Sequence, residues 1–145
     1  KKVKLTRKWN WYADVYLQQS TGNAPVNLPL LFTRNRLAFE GRFFKNLNLS
    51  TGLEMRYFSP VQLDNYSPVL GQFFLQNDTT TRNLPDVTAY MHVRIRSFYL
   101  FVRAENLNTA QFSPAFGFFN NNLATPLQPM PGLIIRLGIF WGFVN

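Results

Sequence analysis

The chain has 145 residues, 46% hydrophobic and 17% aromatic, with 15 Phe, no Cys and a net charge of +8. This length fits one domain, the absence of cysteine excludes disulfide frameworks and thiolate chemistry, and no stretch of about 18 apolar residues could form a membrane-crossing helix. Charged residues make up only 15%, below the usual quarter, and the mean hydropathy is −0.13, so apolar and polar residues are interleaved.

The interleaving has period two, the mark of strands with unlike faces, and it defines six segments. Ahead of them, Lys1–Lys8 is a basic cluster without the apolar core or cleavage site of a leader, so an export signal is expected upstream. Segment 9–19 sets Trp9, Trp11, Ala13, Val15 and Leu17 against Asn10, Tyr12, Asp14, Tyr16 and Gln18. After a link at 20–30, segment 31–44 sets Leu37, Phe39, Gly41 and Phe43 against Arg34, Arg36, Ala38, Glu40 and Arg42. A short turn, with Asn46 suited to its left-handed position, leads into segment 47–58. There Leu47, Leu49, Thr51, Leu53, Met55 and Tyr57 oppose Asn48, Ser50, Gly52, Glu54 and Arg56. Keeping like faces together places Phe43 opposite Leu47, Ala38 opposite Gly52, and Arg36 opposite Glu54 as an ion pair.

A long link at 59–86 precedes segments 87–96 and 98–105, which meet at Arg96-Ser97. Face matching there pairs Ile95 with Phe98, Val93 with Leu100 and Tyr90 with Arg103. A last link at 106–132 leads to segment 133–143, where Leu133, Ile135, Leu137, Ile139, Trp141 and Phe143 alternate with Arg136 and two glycines.

Most segments reach about 9–11 residues, the span of a tilted strand through a bilayer, whereas soluble strands more often stop near 5–6. Tight turns alternate with long links, as in outer-membrane barrels. The fold expected is all-β: residues 1–145 form the C-terminal six-strand portion of a larger antiparallel transmembrane β-barrel, since membrane barrels need at least about eight strands. With the C-terminus periplasmic, the long links at 20–30, 59–86 and 106–132 become extracellular loops. Trp9, Trp11, Phe43, Tyr57, Phe98, Trp141 and Phe143 then suit lipid-interface girdles.

The stretch Asn27-Leu28-Pro29-Leu30-Leu31-Phe32-Thr33-Arg34-Asn35-Arg36 resembles the last third of the porins of Bacteroidota outer membranes. So do residues 52–57 and 64–68, Leu70-Gly71-Gln72-Phe73-Phe74, Glu105-Asn106-Leu107-Asn108, and the ending from Pro131 to Phe143. The resemblance implies a large barrel in the bacterial outer membrane that passes small solutes by diffusion. A TonB-dependent receptor barrel and a structural barrel of a secretion or uptake complex are the alternatives.

On this expectation Arg34, Arg36, Glu40, Arg42, Glu54, Arg56, Arg94, Arg96, Arg103, Glu105 and Arg136 face the lumen. They admit two readings: cross-strand pairs that fill the wall, or a basic lining that favours anions. The single His92 has no second ligand at a metal spacing, so no metal or cofactor is expected. No phosphate-cradling loop, nucleophile elbow or zinc-protease motif is present, so no enzyme is expected. The partners expected are outer-membrane lipid and small solutes, with further copies or other outer-membrane proteins left open. Nucleic acid is not among them, because most arginines are spaced singly along the strands.

Overall fold

Residues 1–22, 26–113, 116–117 and 121–143 are described by a computed structural model; for 111–113 and 116–117 only the backbone is considered. Parts of the expected links 20–30 and 106–132 lie outside the described residues.

The strands in chain order are β1 (Lys2–Lys4), β2 (Trp9–Leu17), β3 (Leu31–Phe43), β4 (Leu47–Phe58), β5 (Asn65–Ser67), β6 (Gln72–Phe74), β7 (Asp86–Ile95), β8 (Phe98–Glu105), β9 (Gln111–Ser113), β10 (Phe116–Gly117), β11 (Leu123–Thr125), β12 (Gln128–Pro129) and β13 (Ile134–Trp141). A 3-10 turn at Leu107–Thr109 is the only helical element among the described residues.

Seven of these strands make one antiparallel sheet in the order β1-β2-β3-β4-β7-β8-β13. The six alternating segments lie in its six longer strands. The seventh, β1, pairs Lys2 with Tyr12 and Lys4 with Asn10; three alternating residues carry too little pattern to stand out in a basic cluster. The sheet is open, with β1 and β13 at its edges.

The registers follow from keeping like faces together. Phe43 pairs with Leu47, Ala38 with Gly52 and Arg36 with Glu54, while Ile95 pairs with Phe98 and Tyr90 with Arg103. A slip of one residue would turn every side chain of a strand to the wrong face. The turn at 44–46 departs from expectation: the left-handed residues are Phe44 (φ 45°) and Lys45 (φ 61°), not Asn46. The right-handed twist of the flanking strands calls for left-handed residues early in such a loop. Arg96 (φ 51°) opens the second tight turn in the same way, and so sits outside β7.

The tight connections at 5–8, 44–46 and 96–97 share one end of the sheet, and the long ones share the other. Asp86, expected in a link, extends β7. The long connections are tied to one another. Asn27 Nδ2 donates to the Gln76 carbonyl at 3.1 Å. Asn122 exchanges two bonds with the Leu84 backbone, at 2.7 and 2.9 Å. Within 59–85, a Val61–Thr81 bridge closes the base of the β5–β6 hairpin.

Burial in the main sheet is inverted relative to a water-soluble protein. Ala38 (0%), Thr88 (4%) and Glu54 (5%) are buried on the face that carries the charges, whereas Ile135 (71%), Leu137 (67%) and Ile139 (63%) stand exposed on the other. Leaving a large aliphatic side chain in water forgoes about 1.5–3 kcal/mol. No second sheet or helix layer packs on the main sheet among the described residues: its strands make their extensive contacts with their sheet neighbours, and β7 also meets the 3-10 turn.

Candidate functional site

The candidate site is the charged face of the main sheet, built from alternate residues that the registers align into rows across the strands. Nearest the long connections this face carries the aromatic row Tyr16, Phe32 and Phe58, and the first charged row is Asp14, Arg34, Arg56 and Asp86. Next comes Lys2, Tyr12, Arg36, Glu54 and Thr88. The row after it is Lys4, Asn10, Ala38, Gly52, Tyr90, Arg103 and Arg136. Glu40, Ser50, His92, Phe101 and Gly138 follow, and Arg42, Asn48, Arg94, Tyr99 and Phe140 lie nearest the tight turns.

Glu54 is the centre of the charge network. Its Oε2 accepts from Arg34 Nε (2.9 Å) and Nη2 (2.7 Å), and its Oε1 accepts from Arg56 Nε (2.8 Å) and Nη2 (2.6 Å). Arg34 and Arg56 face each other directly across β3 and β4, and like charges so placed repel. A carboxylate held between two guanidinium forks removes that repulsion and meets its own need for partners when buried.

The expected Arg36–Glu54 ion pair does not form. Although the two are register partners, Glu54 is engaged by the diagonal Arg34 and by Arg56 on its own strand. Arg36 instead lays its guanidinium 4.2 Å from the centre of the Tyr12 ring, a cation–π contact.

Two further clusters flank this centre. Glu40 accepts from Asn10 Nδ2 (2.7 Å) and Tyr12 Oη (3.0 Å), with Lys2 Nζ at 3.8 Å. Glu105 bridges Arg136 (3.0 Å) and Arg103 (3.5 Å), which are themselves register partners. Arg42, Arg94 and Arg96 enter no ion pair among the described residues; with Lys45, Asn46 and Asn48 they line an open recess of about 350 Å³ at the tight-turn end. Sequence reasoning missed Lys2, Asp86 and Lys45, having placed them in a basic arm, a link and a turn; Asn10 and Tyr12 sat on the right face without a role.

Two glycines shape this face. A Cβ on Gly52 would run into the Leu37 carbonyl, and one on Gly138 into the Phe101 ring. Tyr90, buried, lies opposite Gly52, and Phe101 covers the strand where Gly138 carries no side chain.

The opposite face carries the aromatics expected at a lipid interface, while Tyr12, Tyr90, Tyr99, Phe101 and Phe140 stand among the charges. Phe43, Leu47, Ile95, Phe98 and Trp141 form one unbroken row at the tight-turn end. Trp9 packs edge-on to Phe39 at 5.3 Å, Phe98 edge-on to Trp141 at 6.2 Å, and Trp141 stacks on Phe143 at 5.1 Å. Trp11 lies one pair further in, and Tyr57 lies near the other end, opposite Thr33. Lys8 sets its ammonium 4.3 Å from the Phe43 ring centre.

A long-stranded antiparallel sheet that gathers its charges on one face, encloses Glu54 among them and leaves the aliphatic side chains of the other face bare is the pattern of a membrane β-structure. The chain belongs to the Putative porin family, whose model matches residues 1–145. No curated protein and no solved structure matches it. Membership in a porin family implies, in general terms, a porin-like role and an outer-membrane location.

Proposed function

We propose that this sheet is part of the wall of a larger outer-membrane β-barrel that lets small solutes diffuse through its lumen. Its remaining strands pair beyond β1 and β13. The charged face, from Lys2 to Arg136, turns to the water-filled interior, and the row of Leu, Ile, Val, Phe and Trp meets acyl chains. The aromatic row at the tight-turn end sits at the periplasmic interface, and the tied long connections lie outside the cell. The observation that carries this reading is the inverted burial: Glu54 and Thr88 are enclosed while Ile135, Leu137 and Ile139 are bare. A water-soluble sandwich would do the reverse.

Arginines outnumber carboxylates on the charged face, and a basic lining raises the local concentration of anions. The proposed channel therefore favours anions. Planar-bilayer recording of the complete protein tests this. Stepwise conductance, with a reversal potential in a KCl gradient displaced toward chloride, is the expected result. A membrane-inserted protein without current would end the channel reading.

A further inference from the structure

All seven carboxylates of the chain are Asp14, Glu40, Glu54, Asp64, Asp78, Asp86 and Glu105. Asp14, Glu54 and Asp86 lie in the two charged rows toward the long connections. Glu40 is held by Asn10, Tyr12 and Lys2, and Glu105 by Arg103 and Arg136. Asp64 and Asp78 belong to the connection 59–85. None is paired with the cations at the tight-turn end. There Arg42, Lys45, Arg94 and Arg96 converge on one recess with the side chains of Asn46 and Asn48. Four cations gathered without a counter-ion among the described residues repel one another, and a compact fold gains nothing by collecting them.

The backbone bears a second cost at the same place. Lys45 and Arg96 both adopt left-handed φ angles, 61° and 51°, which disfavour side chains other than those of Gly, Asn and Asp. Two separate turns thus each hold a basic residue in a strained conformation beside the same recess. The turns themselves call for left-handed residues at these places, but Gly, Asn or Asp would meet that call at lower cost, so the choice of Lys and Arg needs its own reason.

We propose that this recess is a binding site for a soluble polyanionic solute, one carrying phosphate or an equivalent multiply charged oxyanion. Arg42 and Arg94 supply planar guanidinium forks, which match phosphate oxygens two at a time; Lys45 and Arg96 add charge from the rim, and the two Asn amides add neutral donors. Arg94 is braced at 4.9 Å against the Tyr99 ring. The occupant is a solute rather than a lipid headgroup, because the recess opens on the charged face while the aromatic row lies on the opposite one. The assignment rests on the reading that the charged face meets water, not on the passage of current.

The probe is pyrophosphate, titrated calorimetrically into the complete protein in uncharged detergent at low ionic strength. Saturable binding is expected. Arg42→Gln and Arg94→Gln should each weaken it by at least about tenfold, the scale of one lost charge-assisted contact. Lys45→Gln, in an exposed turn, should weaken it without disturbing the sheet. Arg42→Lys, which keeps the charge but loses the fork, should weaken it less than Arg42→Gln does, and Arg7→Gln and Arg82→Gln, which remove the same charge outside the recess, should leave it unchanged. Absence of binding, or equal losses in the Arg7 and Arg82 variants, would overturn the site. Displacement of pyrophosphate by micelles containing phosphatidic acid would reassign it to a lipid and overturn the solute. Binding without conductance would sink the channel alone; conductance without binding would sink this site alone.

Discussion

At the scale of single residues, Glu54 decides how the charged face holds together. It is the one carboxylate positioned to separate Arg34 from Arg56, with which it makes four charge-assisted bonds. Glu54→Gln removes the charge and leaves two facing arginines, so stability should fall by about 2 kcal/mol, a buried-pair loss discounted for the half-exposed arginines. The midpoint of urea unfolding in lipid vesicles measures it. Gly52→Ala should cost about 1–3 kcal/mol, because the strand must shift to free the Leu37 carbonyl. Lys45→Asn should act oppositely, stabilising by about 1 kcal/mol as the left-handed strain is relieved. If the recess binds anions, that gain comes with weaker binding.

At the scale of elements, β13 carries two unlike faces on one strand. Its even-numbered residues include Arg136 and Gly138, and its odd-numbered ones are Ile135, Leu137, Ile139 and Trp141. Leu137→Arg puts a charge near the middle of the apolar face and should destabilise the membrane-inserted protein by about 2–4 kcal/mol. Arg136→Gln, one residue away, gives up an exposed pair with Glu105 and should cost less than about 1 kcal/mol. Unfolding midpoints of the two variants in the same vesicles would expose any error: equal effects would mean that the two faces do not meet different media.

At the scale of the whole molecule, the three tryptophans report on the surroundings of the apolar face. Trp9, Trp11 and Trp141 all lie on it. In vesicles, their fluorescence should be quenched strongly by lipids brominated on the acyl chain and weakly by iodide in the water. Strong iodide quenching with no effect of brominated lipid would place that face in water and remove the basis of the barrel reading.

Much of this architecture was legible in the amino-acid order, because strand pairing is governed by a two-residue period that the sequence displays openly. The Ala38–Gly52 and Tyr90–Arg103 pairings follow from matching like faces, since any other register would mix them. Three features were not legible. β1 is too short for its alternation to register. The left-handed residues at 44–45 answer to the twist of the flanking strands, a property of the paired sheet. The partner of Glu54 depends on how far each guanidinium reaches: Arg34 and Arg56 can both fork onto one carboxylate, while Arg36 finds the Tyr12 ring. Thus the sequence by itself determined which residues share a face and how strands align, because both are one-dimensional patterns. Only the tertiary structure decided which charges meet and which stand together unpaired at one end of the sheet, because that depends on side-chain directions across several strands.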